Sequence, residues 1–303
     1  MAKMMTPAME RINRKNERRK TSTENSTPMK EAWKRLKRNK LAMFALIVFC
    51  LLVLIALFPG LFSRRDYAEQ DYAAVLQGPS AAHWFGTDNF GRDIYSRVIY
   101  GTRISLSIGI ICVLISLAIG GLLGSIAAFK GGRVDNVIMR IMDIFQAIPR
   151  MLLAISIAAA LGTGMVNLML AIGIGSVPIY ARVVRAALLT VRDKDYIEAA
   201  KSMGASSLRQ VLKYMIPNAL GPIVVQATFG VAGSILLTSS LSYIGLGIAP
   251  PTPEWGSMLS AGRQYMQQAM HIVLFPGLAI MLTIFSLNVL GDGLRDALDP
   301  KLK

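Results

Sequence analysis

The sequence predicts an all-α polytopic membrane protein with six transmembrane helices. Of its 303 residues, 53% are hydrophobic and 17% are charged, whereas about a quarter of a soluble domain is charged. The apolar residues form separate runs, and about 20 of them in succession are enough to cross a bilayer as a helix. Every second segment between these runs is rich in Lys and Arg, as the cytoplasmic segments of membrane proteins are.

The amino-terminal region is strongly basic, with 13 of the 33 Lys and Arg residues among the first 40 positions and a formal net charge of +15 for the whole chain. Residues 1–28 are polar and aperiodic, which predicts a disordered basic tail. Residues 29–62 predict an amphipathic lead-in anchored to anionic membrane lipid, followed by the first transmembrane helix. Nucleic acid is not an expected partner, because the basic region offers only Trp33 for stacking on a base.

The remaining spans follow in order. The polar segment 63–103 has five positive and five negative side chains, so we expect an extracytoplasmic loop opposite the basic tail. Residues 104–303 then form the main transmembrane domain, with spans over 104–129, 134–161, 168–184, 218–238 and 272–290 and a second outer loop over 249–271. We expect Pro149 to kink the third span, and Asp135, Arg140, Asp143 and Arg150 to lie at or below its inner interface. This arrangement predicts a multi-pass membrane protein with both termini in the cytoplasm.

A polar cytoplasmic segment, 192–217, interrupts the apolar runs. Its apolar residues recur at helical spacing, which predicts two short amphipathic helices, with stripes of Tyr196, Ala199, Ala200 and Met203 and then Leu208, Val211, Leu212 and Met215. Asp195 with Glu198, and Ser207 with Gln210, have the spacing of helix-capping boxes. The pattern alone allows a linker packed on its own bundle or a stripe docked against another protein.

The stretch "EAAKSMGASSLRQVLKYMIP" resembles the EAA loop of ABC-importer permeases. The match at the family's spacing comprises Glu198, Ala199, Ala200, Gly204 and Pro217, while Ile216 and Tyr214 replace the usual leucine and isoleucine. Three further stretches, "HWFGTDNFGRDIYSRVIYGTRISL", "GLGIAPPTPEWGSML" and "FPGLAIMLTIFSLNVLGDGLRDALDPKLK", are similar to the peptide/nickel branch of these permeases. The resemblance covers residues 30–303 in order.

This resemblance implies the type I ABC importer permease fold and the import of di- or oligopeptides across the bacterial inner membrane. It also implies three kinds of partner: a second homologous permease, two cytoplasmic ABC ATPases and an extracytoplasmic substrate-binding protein. The first short helix would be the coupling helix that docks on an ATPase, with contacts from Tyr196, Glu198, Ala199, Ala200, Met203, Gly204 and Pro217. ATP and Mg²⁺ would be bound by the ATPases, so no cofactor is expected in this chain.

The chain itself lacks the groups needed for ATP hydrolysis. No glycine is followed by lysine, so no phosphate-binding P-loop is present. His83 and His271 are both expected in outer loops, and Cys50 and Cys112 fall inside apolar runs, so we expect neither catalytic residues nor a metal site. The sequence therefore predicts a transporter subunit that is not an enzyme.

Two further sets of residues are candidates for contact with substrate or partner. Uncharged polar side chains of the fifth span could line the translocation path: Gln226, Thr228, Ser234, Thr238 and Ser239. Residues of the two outer loops could contact the binding protein or form a gate: Asp88, Arg92, Asp93, Glu254 and Trp255. Trp255 could alternatively anchor at the membrane interface.

Two alternatives to peptide import stay open. The same architecture could import nickel chelates or glutathione. An ion-coupled secondary carrier or a channel is a different class, but such carriers place ionisable groups near the membrane midplane. The centres of all spans except the third lack Asp, Glu, Lys and His, which weakens this second alternative.

Overall fold

A computed structural model describes residues 28–298, whose regular secondary structure is helical with no β-strand among them. In chain order the helices are α1 Pro28–Arg38, α2 Lys40–Leu57, α3 Pro59–Phe62, α4 Ile94–Lys130, α5 Gly132–Ala147, α6 Arg150–Leu161, α7 Met165–Arg192, α8 Asp195–Ser202, α9 Ser207–Arg209, α10 Ile216–Asn218, α11 Leu220–Tyr243, α12 Trp255–Gly262 and α13 His271–Leu298. A π-helical turn, Gln210–Met215, joins α9 to α10. The prediction of an all-α chain is confirmed, and the predicted tail before Pro28 lies outside the described residues.

Five of these helices are long and apolar enough to cross a membrane: α2, α4, α7, α11 and α13. The sixth predicted span is the pair α5 and α6, which are bent by 86° relative to each other. The break falls at Pro149, as predicted, and is sharp because Ile148 and Pro149 both adopt extended ψ angles, 125° and 130°. A residue that precedes proline is disfavoured in the helical region, so the two helices end and begin there. Six spans result when this broken pair is taken as one.

The second span begins earlier than the sequence predicts. Helix α4 starts at Ile94 and extends over 37 residues, so the last ten positions of the expected loop 63–103 are helical. Asp93 explains this start, because its carboxylate accepts the Ser96 backbone N–H at 2.8 Å and so caps the helix. The described connection between α3 and α4 is therefore 63–93.

Close packing of α4 against α7 forms the centre of the bundle. A Cβ atom at Gly120 would lie 2.5 Å from the Val177 carbonyl oxygen, and Gly124 approaches Ala181 equally tightly. These two glycines are the small-xxx-small pair of the second span, and the lack of side chains lets the helix backbones meet. An apolar cluster that includes Ile108 and Leu241 then joins α4 and α7 to α11.

The first helix packs on the end of the last one. Leu36 of α1 is buried against Ala42 and Ala297, while Lys34 and Lys37 on its other face are exposed. The amphipathic lead-in is thus confirmed as a helix, and its attachment to anionic lipid stays a prediction. For orientation we call the end of the bundle where α7 meets α8 the connector end, and the end that carries residues 63–93 the loop end.

Candidate coupling surface and transport path

The polar segment between α7 and α11, residues 195–218, is called the connector here. It consists of two short helical stretches, as predicted, separated at Met203–Ser206. Gly204 has φ +80°, its N–H donates to the Lys201 carbonyl at 3.0 Å, and the Ala205 N–H donates to the Ala200 carbonyl at 3.0 Å. This is a glycine-terminated helix end, and a residue with a Cβ adopts that φ at a cost. Gly204 therefore fixes the angle at which the chain leaves α8.

Both predicted caps are wrong by one residue. Lys194 occupies the cap position of α8 and makes no side-chain cap bond, so Asp195 is the first helical residue. At the second helix Ser206, rather than Ser207, accepts the Arg209 N–H, at 3.4 Å. Gln210 instead donates from Nε2 to the Ala205 carbonyl at 2.7 Å. Asp195 and Glu198 still lie in the first turn of α8, where negative charge favours the helix dipole.

One face of the connector packs on its own bundle. Ile197 and Ala200 are buried, and Ile197 joins an apolar cluster with Leu188, Met215 and Ile223. The predicted stripe on α8 is therefore divided, because Ala200 lies on this inner face and its neighbours in the stripe do not. Ile197, which lies outside the predicted stripe, supplies the main apolar contact.

The other face of the connector is apolar and exposed. Tyr196 is 40% exposed and Met203 78%, and we call these two side chains the coupling ridge. Leu208 and Leu212, 69% and 56% exposed, line a cavity against α4. Ala199, Glu198 and Pro217 are also exposed, and none of the ion pairs between described residues includes Glu198. Apolar side chains held out of a polar segment mark an interaction site. Packing on the bundle is thus observed for the inner face, and docking against another protein stays a prediction for the exposed face.

The predicted contact residues of the first outer loop are buried instead. Asp88 accepts a hydrogen bond from Arg92 Nε at 2.7 Å and lies 3.7 Å from Arg97 Nε. Asp93 caps α4 and lies 3.0 Å from Nδ1 of His83, which is also buried. These charges satisfy one another inside the loop, because buried charges need partners. The three predicted residues, Asp88, Arg92 and Asp93, therefore shape the loop and do not form a contact surface in this conformation.

The predicted contact residues of the second outer loop are buried as well. Glu254 caps α12 and accepts the N–H groups of Gly256 and Ser257 at 2.8 and 2.7 Å. Burial raises the pKa of Glu254, and these hydrogen bonds oppose the rise. Trp255 is fully buried and donates its indole N–H to the Val98 carbonyl at 3.1 Å. Neither contact from outside nor interfacial anchoring by Trp255 agrees with this position, and both residues fasten α12 to α4.

Exposed side chains at the loop end lie elsewhere in the first loop. Trp84 is 46% exposed, and the Arg64 guanidinium lies 3.7 Å from the centre of its ring. The ring of Trp84 also meets Tyr95 edge-on. In the sequence Trp84 stands out only as a neighbour of His83, and a charge-based search passes over it.

The candidate path residues of α11 divide into two groups. Gln226 is half-buried and lines a cavity of about 460 Å³ together with Phe229 and Arg295, and the Thr228 hydroxyl donates to the Val224 carbonyl at 3.0 Å. The other three are buried inside the chain and cannot line an open path in this conformation: Ser234, Thr238 and Ser239. The reason is packing, because α12 approaches that face of α11, with Gly256 directly against Ser239.

Arg150 is placed differently from its expected position at the inner interface. It is the first residue of α6, and its guanidinium lies beside Gly233 of α11 and in electrostatic range of Tyr180 and Cys112. The sequence signal for this position is a cation directly after Pro149. If a helix breaks at a proline inside the bundle, the first residue of the next helix lies inside the bundle as well.

Comparison with known proteins gives one consistent picture. Residues 120–303 match the family described as the binding-protein-dependent transport system inner membrane component, and residues 27–79 match the N-terminal transmembrane domain of oligopeptide transport permease C. The dipeptide transport system permease protein DppC of Alkalihalophilus pseudofirmus is 48% identical over 91% of both chains. The glutathione transport system permease protein GsiD of Pectobacterium atrosepticum is 45% identical over 91% of this chain and 92% of its own.

A third relative, the di/tripeptide transport system permease protein DppC of Pseudomonas aeruginosa, is 44% identical over 91% of this chain and 93% of its own. Among solved structures, a chain of the inward-facing MetNI methionine ABC transporter superposes with a TM-score of 0.54 and 20% identity, covering 67% of this chain and 96% of that one. At this identity the superposition establishes the fold alone.

Proposed function

This chain belongs to the family of binding-protein-dependent transport system inner membrane components, and we propose that it forms half of a peptide translocation path driven by cytoplasmic ATPases. Members of this family are multi-pass membrane permeases of ABC importers. A second homologous permease would complete the path, two ABC ATPases would bind below, and a substrate-binding protein would deliver peptide from outside. The connector end, with both termini, faces the cytoplasm in this proposal.

The coupling ridge is the observation that supports this function best. Tyr196 and Met203 project from a helix whose opposite side, through Ile197, is fastened to the bundle. A protein docked on the ridge would therefore push on a helix that is packed against α7 and α11. Coupling of this kind transfers a rigid-body motion and needs no chemistry in this chain.

The proposed substrates are di- and oligopeptides, because two of the relatives are named for dipeptides or di- and tripeptides. Glutathione is the second candidate, favoured by the relative named for its transport. Glutathione is itself a tripeptide with free carboxylates, so both candidates present an extended, charged backbone. Import of a nickel chelate remains the third candidate.

Reconstitution tests this function directly. Proteoliposomes would contain this chain, its partner permease and both ATPases, with binding protein outside, and uptake of labelled trialanine would be followed. We expect uptake only with ATP, and a loss of uptake when the P-loop lysine of the ATPases is replaced. Competition by glutathione or by a nickel chelate would identify those substrates.

The alternative class gives a different result. Uptake that persists without the ATPases, driven by a proton or sodium gradient, would show a secondary carrier. Uptake without any energy source would show a channel. Either result would refute the proposed coupling.

A further inference from the structure

The break between α5 and α6 places a positive charge in the middle of the helix bundle. Arg150 begins α6, and a Cβ atom at Gly233 would lie 3.7 Å from its Nη1 atom. Cys112, in electrostatic range, is the central residue of the 37-residue α4. Tyr180 and Gly233 lie near the middles of α7 and α11. The guanidinium is thus at mid-depth of three spanning helices, far from either end.

This charge has no partner among the described residues. Nε of Arg150 is buried without a hydrogen bond, and none of the described ion pairs includes the residue. Both acids of the broken span are already engaged with α7, Asp135 with Arg185 and Asp143 with Arg182, at 2.5 Å each. An unpaired cation at this depth is costly and is retained where it serves a function.

The surroundings of Arg150 leave room for an anion. Arg150 itself is partly exposed, and the residues 145–149 that precede it are exposed. On the other side Gly230 and Gly233 of α11 present no side chain, and the Tyr180 hydroxyl lies against Gly230. The uncapped first turn of α6 adds N–H groups of favourable polarity, although the arginine alone supplies the full charge.

We infer that Arg150 binds a carboxylate of the transported peptide within the membrane. A guanidinium is suited to this role, because its planar fork pairs with both oxygens of a carboxylate. Every linear peptide carries a terminal carboxylate, whatever its side chains, so one fixed cation can serve a broad range of sequences. The inference rests on the proposed function and extends it by naming the group that is recognised.

The experiment compares two probes that differ in one charge. Trialanine and trialanine amide would be taken up by the reconstituted complex with binding protein saturated by each peptide, so that delivery is equal. Arg150→Gln should lower uptake of trialanine at least about tenfold and leave uptake of trialanine amide unchanged. Arg150→Lys should restore part of the difference between the two peptides. Arg133→Gln, which removes an exposed arginine from the same broken span, should change neither.

A thermal readout separates this role from a structural one. Because Arg150 is unpaired in the free permease, Arg150→Gln should keep or raise the melting temperature, whereas loss of a structural contact would lower it. Equal loss of uptake for both peptides, or no loss for either, overturns the inference. Equal loss together with poor assembly would indicate that the carboxylate comes from the partner permease. If the unaltered complex takes up neither peptide with ATP, the proposed function itself fails, and the inference fails with it.

Discussion

Replacement of Gly204 by alanine tests how much the angle at which the chain leaves α8 contributes to coupling. Gly204 has φ +80°, and no atom lies within 4 Å of the position that a Cβ would occupy. The cost is therefore conformational and not steric, about 1 kcal/mol for one residue in the left-handed region. A penalty of that size lowers the ratio of the observed connector geometry to its alternatives about fivefold.

Gly162 provides a matched control at the other end of the bundle. It ends α6 with φ +85°, and the position that its Cβ would occupy likewise has no atom within 4 Å. Both Gly204→Ala and Gly162→Ala should therefore lower the melting temperature similarly, by about 2–4 °C. Only Gly204→Ala should reduce the ATPase rate that is stimulated by liganded binding protein in the reconstituted complex, by up to about fivefold.

Two results would refute this reasoning. If Gly204→Ala lowers the melting temperature but leaves the stimulated ATPase rate unchanged, the angle of α8 does not transmit coupling. If both variants reduce the ATPase rate equally, the effect is one of general stability. Binding of the ATPases to the isolated permease, measured by co-purification, should fall with Gly204→Ala alone.

Three further predictions concern the fold around the sites. Arg92→Met removes the 2.7 Å partner of the buried Asp88 carboxylate and leaves Arg97 at 3.7 Å, so it should lower the free energy of unfolding by about 1–3 kcal/mol. Arg65→Met, in a half-exposed pair with N···O 3.8 Å, should lower it by less than about 1 kcal/mol. Thermal unfolding in detergent would measure both. Gly120→Ala should lower the free energy of unfolding by about 1–3 kcal/mol, because the added Cβ overpacks α4 against α7. Gly121→Ala should leave it unchanged in the same assay, because its Cβ would lie 3.6 Å from the nearest side-chain atom. Burial raises the pKa of Glu254 in the folded protein, so the protonated carboxyl group contributes its full stabilisation below the ordinary pKa of 4.5. This contribution is lost as the pH rises through the pKa of the folded state. As the pH rises above 4.5, the melting temperature should therefore fall by more in the unaltered protein than in Glu254→Gln. An equal fall in both would contradict the burial of this carboxyl group.

Hydrophobic runs and charge asymmetry were enough to place the spanning helices, because about 20 apolar residues have few alternatives in a bilayer. Their boundaries depend on single capping contacts that composition does not reveal. Helix α4 begins ten residues before the predicted second span, at a cap formed by Asp93, and Ser206 rather than Ser207 is the cap of α9. The sequence pattern also did not reveal which residues of α8 are buried, because the burial of Ile197 depends on its contacts with Leu188 and Met215.

The outer loops were the least predictable part of the chain. Charged residues in a loop suggest a contact surface, but Asp88 and Arg92 pair with each other and are covered. Glu254 is likewise engaged by the first turn of α12. Arg150 is the opposite case, since it was expected at the inner interface, whereas the break between α5 and α6 places it in the middle of the bundle. The contacts that polar groups make in the folded chain determine whether each of these residues is buried or exposed, and a single sequence does not reveal those contacts.

The accessibility of Met203 tests the central claim most directly. Cys50 and Cys112 would be replaced by alanine, Met203 by cysteine, and the new thiol labelled with a membrane-impermeant maleimide in inside-out vesicles. The proposed coupling predicts rapid labelling in the permease alone and at least about tenfold slower labelling once the ATPases cover the coupling ridge. Labelling that is unchanged by the ATPases, or that occurs only from the opposite side of the membrane, would contradict the account.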